Sequence, residues 1–118
     1  MTTLAYLSTP FTKYREGHEL AFIHAADLTS RLIESGVHAF SPIVHGYPLS
    51  EHGNIDPLDA KFWLDFAELF MDRCDVLIVA HMTGWKDSDG IKYETEYFKR
   101  KGKPIFDLDP ETMKMVRR

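Results

Sequence analysis

The chain has 118 residues and a formal net charge of −4, from 14 Lys plus Arg against 18 Asp plus Glu. That length holds one ordinary core and not two, and a hydrophobic content of 44% excludes a disordered chain. The single cysteine, Cys74, excludes an internal disulfide framework and fits a cytoplasmic protein, while the mild acidity argues against a nucleic acid polymer as partner.

Thr3 to Ser8 is short, apolar and followed by Thr9-Pro10, which predicts a buried strand. Arg15 to Ser35 predicts a long helix, because Ala21, Ala25, Leu28 and Leu32 form one apolar stripe. Gly36 is a natural stop for it, since glycine takes positive φ without penalty. Val37 to Phe40 predicts a second strand, ended by Ser41-Pro42. Residues 41–58, with three prolines, two glycines and two histidines, predict a long loop of the functional kind.

Asp59 predicts the N-cap of a helix from Ala60 to Arg73, and Asp75 to Ala80 a fully buried parallel strand. After a loop from His81 to Asp87, Gly90 to Lys101 predicts a helix that stops at Gly102. Pro104 to Phe106 opens a fourth strand, and Asp109-Pro110-Glu111 predicts a last short helix. No targeting segment is expected, and no apolar run approaches the ~20 residues a membrane span needs.

This alternation predicts a flavodoxin-like, Rossmann-like three-layer sandwich, with a parallel sheet of four or five strands as a single domain over 1–118. Ligands of such sheets bind beyond the carboxyl ends of the strands, at the topological switch point. The segments to watch are Ser8-Thr9-Pro10, Ser41 to His45 and His81 to Gly90.

Familiar motifs are absent. There is no G-x-G-x-x-G, no Walker A sequence and no G-x-S-x-G elbow. His38, His45 and His52 span a strand and a proline-rich loop, not a metal-ligand spacing, so no metal and no cofactor are expected.

Two carboxylates stand out by position. Glu94 lies in the helix after the best strand, near the switch point, and is also readable as an exposed acid of the early turns. Asp65 falls at the edge of a helix face read as Phe62, Trp63, Phe66, Leu69, Phe70 and Arg73, and is also readable as a solvated flank beside Lys61. The same helix carries Leu64, Ala67 and Met71 on its other side, so it is expected to be covered twice, the second time by another subunit. Ser88, Asp89 and Gly90 suit both an ordinary helix start and an anion site.

Taken together, these pieces resemble the nucleoside 2-deoxyribosyltransferase superfamily. The resemblance rests on Tyr6-Leu7-Ser8-Thr9-Pro10-Phe11, Phe40-Ser41-Pro42, the helix with Asp65, Cys74-Asp75, and above all Gly84-Trp85-Lys86-Asp87-Ser88-Asp89-Gly90-Ile91-Lys92-Tyr93-Glu94. It runs from Leu4 to about Phe106 and is similar to a small branch near the 2′-deoxynucleoside 5′-monophosphate N-glycosidases.

The resemblance implies that Glu94 is a nucleophile that attacks C1′ of a nucleoside or nucleotide and displaces the base. Water resolves the resulting ester in the hydrolases, and a second base in the transferases. Tyr6 would orient the carboxylate, and Asp65 would bind the sugar or help protonate the leaving base. Glu94 is expected to be ionised near neutral pH, favoured by its helix N-terminus.

Ser88, where nucleoside-specific relatives have Asp, implies a 5′-monophosphate, with Gly90 in the same helix start and Ser8, Lys13 or Arg15 adding donors or charge. Pro42 and His45 match the branch's Ser-Pro-x-x-His loop and are carried as substrate-binding residues, as is Trp85, by stacking on the base or else by core packing. The expected activity is N-glycosidic bond hydrolysis in a homodimer or larger oligomer. Base exchange, or nucleotide sensing without catalysis, are the rivals.

Overall fold

The strand and helix signals resolve in a computed structural model that describes residues 2–118. In chain order the elements are β1 Leu4–Ser8, α1 His18–Glu34, β2 His38–Phe40, α2 Pro42–His52, α3 Ala60–Arg73, β3 Val76–Ala80, a 3-10 turn Trp85–Asp87, α4 Asp89–Arg100, β4 Ile105–Leu108 and β5 Met115–Arg117. The sheet order is β2-β1-β3-β4-β5, with the first four strands parallel and β5 antiparallel to β4. This is the flavodoxin-like order, whose switch point lies between β1 and β3.

Side-chain alternation along β1 divides the core. Ala5 and Leu7 point toward α1, where they meet Leu28, Leu32 and Ile78. Tyr6 points the other way, toward α3 and α4, and packs with Met71, Leu77 and Phe98. The register sets Tyr6 beside Leu77 and Ser8 beside Val79. Ser8 therefore ends β1 on the same face as Tyr6.

Two helix stops follow the sequence signals closely. After α1, Gly36 takes φ 97° and donates to the Ile33 carbonyl, while the Val37 N–H reaches Leu32. That is the Schellman pattern, which satisfies carbonyls the helix leaves free. Gly102 closes α4 the same way, with Lys103 N–H on Phe98. At its start α1 is shorter than expected: it begins at His18, because Gly17, at φ 97°, precedes it with non-helical backbone.

Two expectations are corrected. Residues 41–58 are not one long loop, since α2 occupies Pro42–His52. Ser41 caps it by accepting the Val44 N–H at 3.2 Å, and Pro42 fits the first helical position, where no N–H is needed. Pro48 and Gly46 concealed the helix; each has a place in it nevertheless. A Cβ on Gly46 would stand 3.1 Å from Trp63 Cζ3, so glycine there lets α2 close on α3.

The last short helix is also absent. Asp109 instead accepts the Glu111 and Met113 N–H groups through its side chain and carbonyl, and the chain reverses into β5. Arg118 then fixes the hairpin with paired bonds to Asp107, each 2.9 Å. No helix among the described residues is long and apolar enough to cross a membrane.

Candidate active site

The carboxyl ends of β1 and β2 open into a cavity of about 530 Å³. One side is the loop after β1, with Thr9, Phe11 and Lys13. Others are the start of α2, with Pro42 and His45, and one face of α3, with Trp63, Leu64, Phe66, Ala67 and Phe70. The start of α4 supplies Ser88, Gly90 and Glu94. The cavity lies where the fold class binds its ligands.

Glu94 is the polar centre of this space. Ser88 caps α4 by accepting the Ile91 N–H at 3.2 Å, which starts the helix so that its second turn passes the end of β1. Ser8 Oγ donates to Glu94 Oε1 at 2.5 Å. The two side chains are buried, 0% and 8% exposed, and 86 residues apart in the chain.

Burial pushes the Glu94 carboxyl up to about 7, while Ser8 and Tyr6 pull against that rise. This corrects the expectation that the helix N-terminus keeps it ionised. Glu94 lies beyond the first turn, where the helix field has faded, and desolvation wins. At neutral pH the group is divided between a carboxylate that can attack and an acid that cannot.

Tyr6 is fully buried against Phe40 and Phe98, at ring distances of 5.9 and 6.0 Å. Burial and the nearby Glu94 push its hydroxyl well above the ordinary tyrosine value, so it stays protonated. Its proximity favours the Glu94 carboxylate, yet its hydroxyl completes no hydrogen bond of full geometry. Thr9 Oγ1 is likewise buried without a partner.

The walls are aromatic. Phe40 and Phe70 stack at 4.5 Å and 4°, and the His45 ring lies parallel to Phe66 at 5.7 Å and 1°. Such surfaces hold planar, apolar ligands face to face. At the mouth, Lys13 Nζ meets Asp89 Oδ2 at 3.1 Å, with both groups exposed. This pair joins the loop after β1 to the start of α4.

The structure thus brings together Tyr6, Ser8, Pro42, His45, Ser88, Gly90 and Glu94. It does not bring in Asp65, which is exposed and bonds Lys61 at 2.8 Å on the outer side of α3. Nor does Trp85 reach the cavity. It stacks on His81 at 3.9 Å and 10° and packs against the core on the α4 side.

The inward face of α3 is turned relative to the sequence expectation: Trp63, Phe66 and Phe70 face inward as read, but other positions differ. Phe62 and Leu69, read as core, are 43% and 56% exposed, while Met71 is fully buried. Leu64 and Ala67, read as a subunit contact, line the cavity. The apolar excess around this helix was the signal; what it marked within the chain is a cavity wall. Lys13 and Phe40, both singled out in the sequence, line the cavity, as does the aromatic Tyr47, which no motif announces.

Among the described residues no group of His, Cys, Asp and Glu side chains is arranged to hold a metal ion. The chain belongs to the family described as a domain of unknown function (DUF1937), whose model matches residues 3–109. No curated protein matches it.

Proposed function

We propose that the protein cleaves the N-glycosidic bond of a (deoxy)nucleoside 5′-monophosphate, with Glu94 as nucleophile. The observation that carries this is the Glu94 carboxyl itself, buried at the floor of an aromatic-walled cavity and held by Ser8 at 2.5 Å. A buried carboxylate without a cationic partner is costly as a purely structural feature. Here it is aimed at space of the size and apolar character that a nucleoside fills.

In this mechanism the Glu94 carboxylate attacks C1′, the bond to the base breaks, and the base leaves with the bonding electrons. Water then attacks C1′, and the electron pair of the ester returns to Glu94. The Ser8 donor fixes one carboxylate oxygen, which leaves the other free to attack. Ser88 supports the choice of a 5′-phosphate: its oxygen is used in the cap, but its hydrogen remains free to donate. Lys13 would exchange Asp89 for that phosphate. The exposed Phe62 and Leu69 on α3 support pairing of this chain with a second copy.

The test is free-base release from a panel of (deoxy)nucleoside monophosphates and the matching nucleosides, by wild type and Glu94→Ala. Release that needs the 5′-phosphate and vanishes in the variant is the expected result. Release only with an added acceptor base identifies a transferase. Nucleotide binding with no release by wild type would overturn catalysis and leave a sensor.

A further inference from the structure

A base departing from C1′ needs a proton, and the acid expected from the sequence, Asp65, faces solvent on the outer side of α3. The other titratable groups of the cavity are already engaged. Lys13 and Asp89 belong to the exposed mouth, where the phosphate is placed, and Tyr93 donates to Glu68. Tyr6 is buried against Glu94, and Tyr47 lies over Phe22 at 5.0 Å and 24°. His45 differs from all of these. Its ring is exposed and borders the cavity from the first turn of α2, a wall separate from the Glu94 helix.

The place of His45 is defined by rings. It lies parallel to Phe66 and stands 5.9 Å from Phe40 and 6.0 Å from Phe70. Phe40 in turn is 5.9 Å from Tyr6, which adjoins Glu94. The rings of Phe40 and Tyr6 lie between imidazole and nucleophile, and His45 and Glu94 border the same cavity from different walls. The capping of α2 by Ser41 holds this geometry, with the His45 N–H bonded to the Ser41 carbonyl at 3.1 Å.

We propose that His45 is the catalytic acid that protonates the leaving base. This rests on the glycosidase reading above. As Glu94 bonds to C1′, the C1′–N bond breaks and its electron pair enters the base ring. His45 delivers its proton to a ring nitrogen of the base, which leaves neutral. In the second half, water gives its oxygen to C1′ and its proton to the now neutral imidazole, and Glu94 departs as carboxylate. The sum is one water consumed, one free base and one sugar phosphate released, with both side chains restored. Imidazole is suited to this exchange because it gives and takes a proton near neutral pH.

The test compares 2′-deoxyguanosine 5′-monophosphate with its 7-methyl derivative, whose cationic base leaves as a neutral molecule without being protonated. The enzymes are wild type, His45→Phe, His45→Gln and Glu94→Ala. His45→Phe keeps a ring to stack on Phe66, and His45→Gln tests the result without an added aromatic; thermal melts check folding of both.

The expected result is a loss of roughly 10²- to 10⁴-fold on the unmethylated nucleotide in both His45 variants. The 7-methyl substrate should retain most of its rate in the same variants, and Glu94→Ala should lose both substrates. Equal losses on the two substrates would overturn the acid role and leave His45 a stacking surface. Unchanged rates in His45→Phe and His45→Gln would overturn it as well. No release from either substrate by wild type would overturn the glycosidase reading and this inference with it. That outcome is distinct from failure of the inference alone, in which wild type releases base and Glu94→Ala does not.

Discussion

Ser8 and Glu94 meet through a 2.5 Å hydrogen bond that ties the end of β1 to the second turn of α4. It joins the switch point of the sheet to the helix that crosses it, and it is the shortest route by which the fold controls the carboxyl. Ser8 donates to the charged form and so opposes the rise that burial imposes.

Ser8→Ala should therefore raise the acid limb of the kcat/KM profile, which Glu94 places near 7. A bond to a charged group is worth roughly 1.5–3 kcal/mol, so the limb should move up by about one to two pH units. A pH–rate profile of base release measures this directly. An unmoved limb would show that Ser8 does not govern the nucleophile.

Glu94 also couples stability to pH. Its folded value, about 7, lies above its ordinary 4.5, so folding favours the protonated form. The stability tied to that proton is complete below about pH 4.5, falls as pH rises through 7, and totals roughly 3 kcal/mol. Glu94→Gln, which stays neutral, should match wild type near pH 4.5 and exceed it at pH 8 by about 10 °C in melting temperature. Parallel melting curves across that range would contradict the buried, raised carboxyl.

Ser88→Asp separates capping from substrate choice. Aspartate caps a helix as well as serine, so α4 should remain intact. Its charge should repel a 5′-phosphate while tolerating a hydroxyl. The ratio of kcat/KM for monophosphate over nucleoside should fall about tenfold or more. A constant ratio would remove Ser88 from phosphate recognition.

Lys103 closes the C-terminus of α3, donating from Nζ to the Met71, Asp72 and Cys74 carbonyls at 3.1, 2.9 and 2.8 Å. The charge also suits the negative end of that helix. Lys103→Met should cost about 1–3 kcal/mol in chemical denaturation while sparing kcat, because α3 forms the cavity wall but carries no group assigned to the chemistry. A loss of kcat without loss of stability would contradict the structural role.

The sheet was legible because its strands are short apolar runs, as in Thr3 to Ser8, which Thr9-Pro10 ends, and Asp75 to Ala80. The stop at Gly36 was legible for the same local reason. Helix α2 was not, since Pro48 and Gly46 are local breakers and packing against Trp63 overrides them. The C-terminal hairpin was missed because Asp109-Pro110 starts a turn as readily as a helix, and only the Arg118–Asp107 pairing decides between them. In the site, Glu94 stood out by its place after the best strand, but position alone also reads as an exposed helix acid, and its role came from the resemblance. The turn of α3 that exposes Phe62 and Leu69 and buries Met71 was not visible, because periodicity gives the stripes of a helix but not which stripe meets the sheet and which a cavity. That ambiguity explains both the exposure of Asp65 and the absence of Leu64 and Ala67 from the expected site.

The most direct measurement is the anomeric configuration of the sugar product when the reaction runs in aqueous methanol. A covalent ester on Glu94 requires two displacements at C1′, so methanol captures the sugar with the β configuration retained. Nuclear magnetic resonance of the methyl glycoside distinguishes the anomers. The β-methyl glycoside 5-phosphate is the predicted product. The α anomer would mean that solvent attacks C1′ in a single displacement, and Glu94 would then not be the nucleophile.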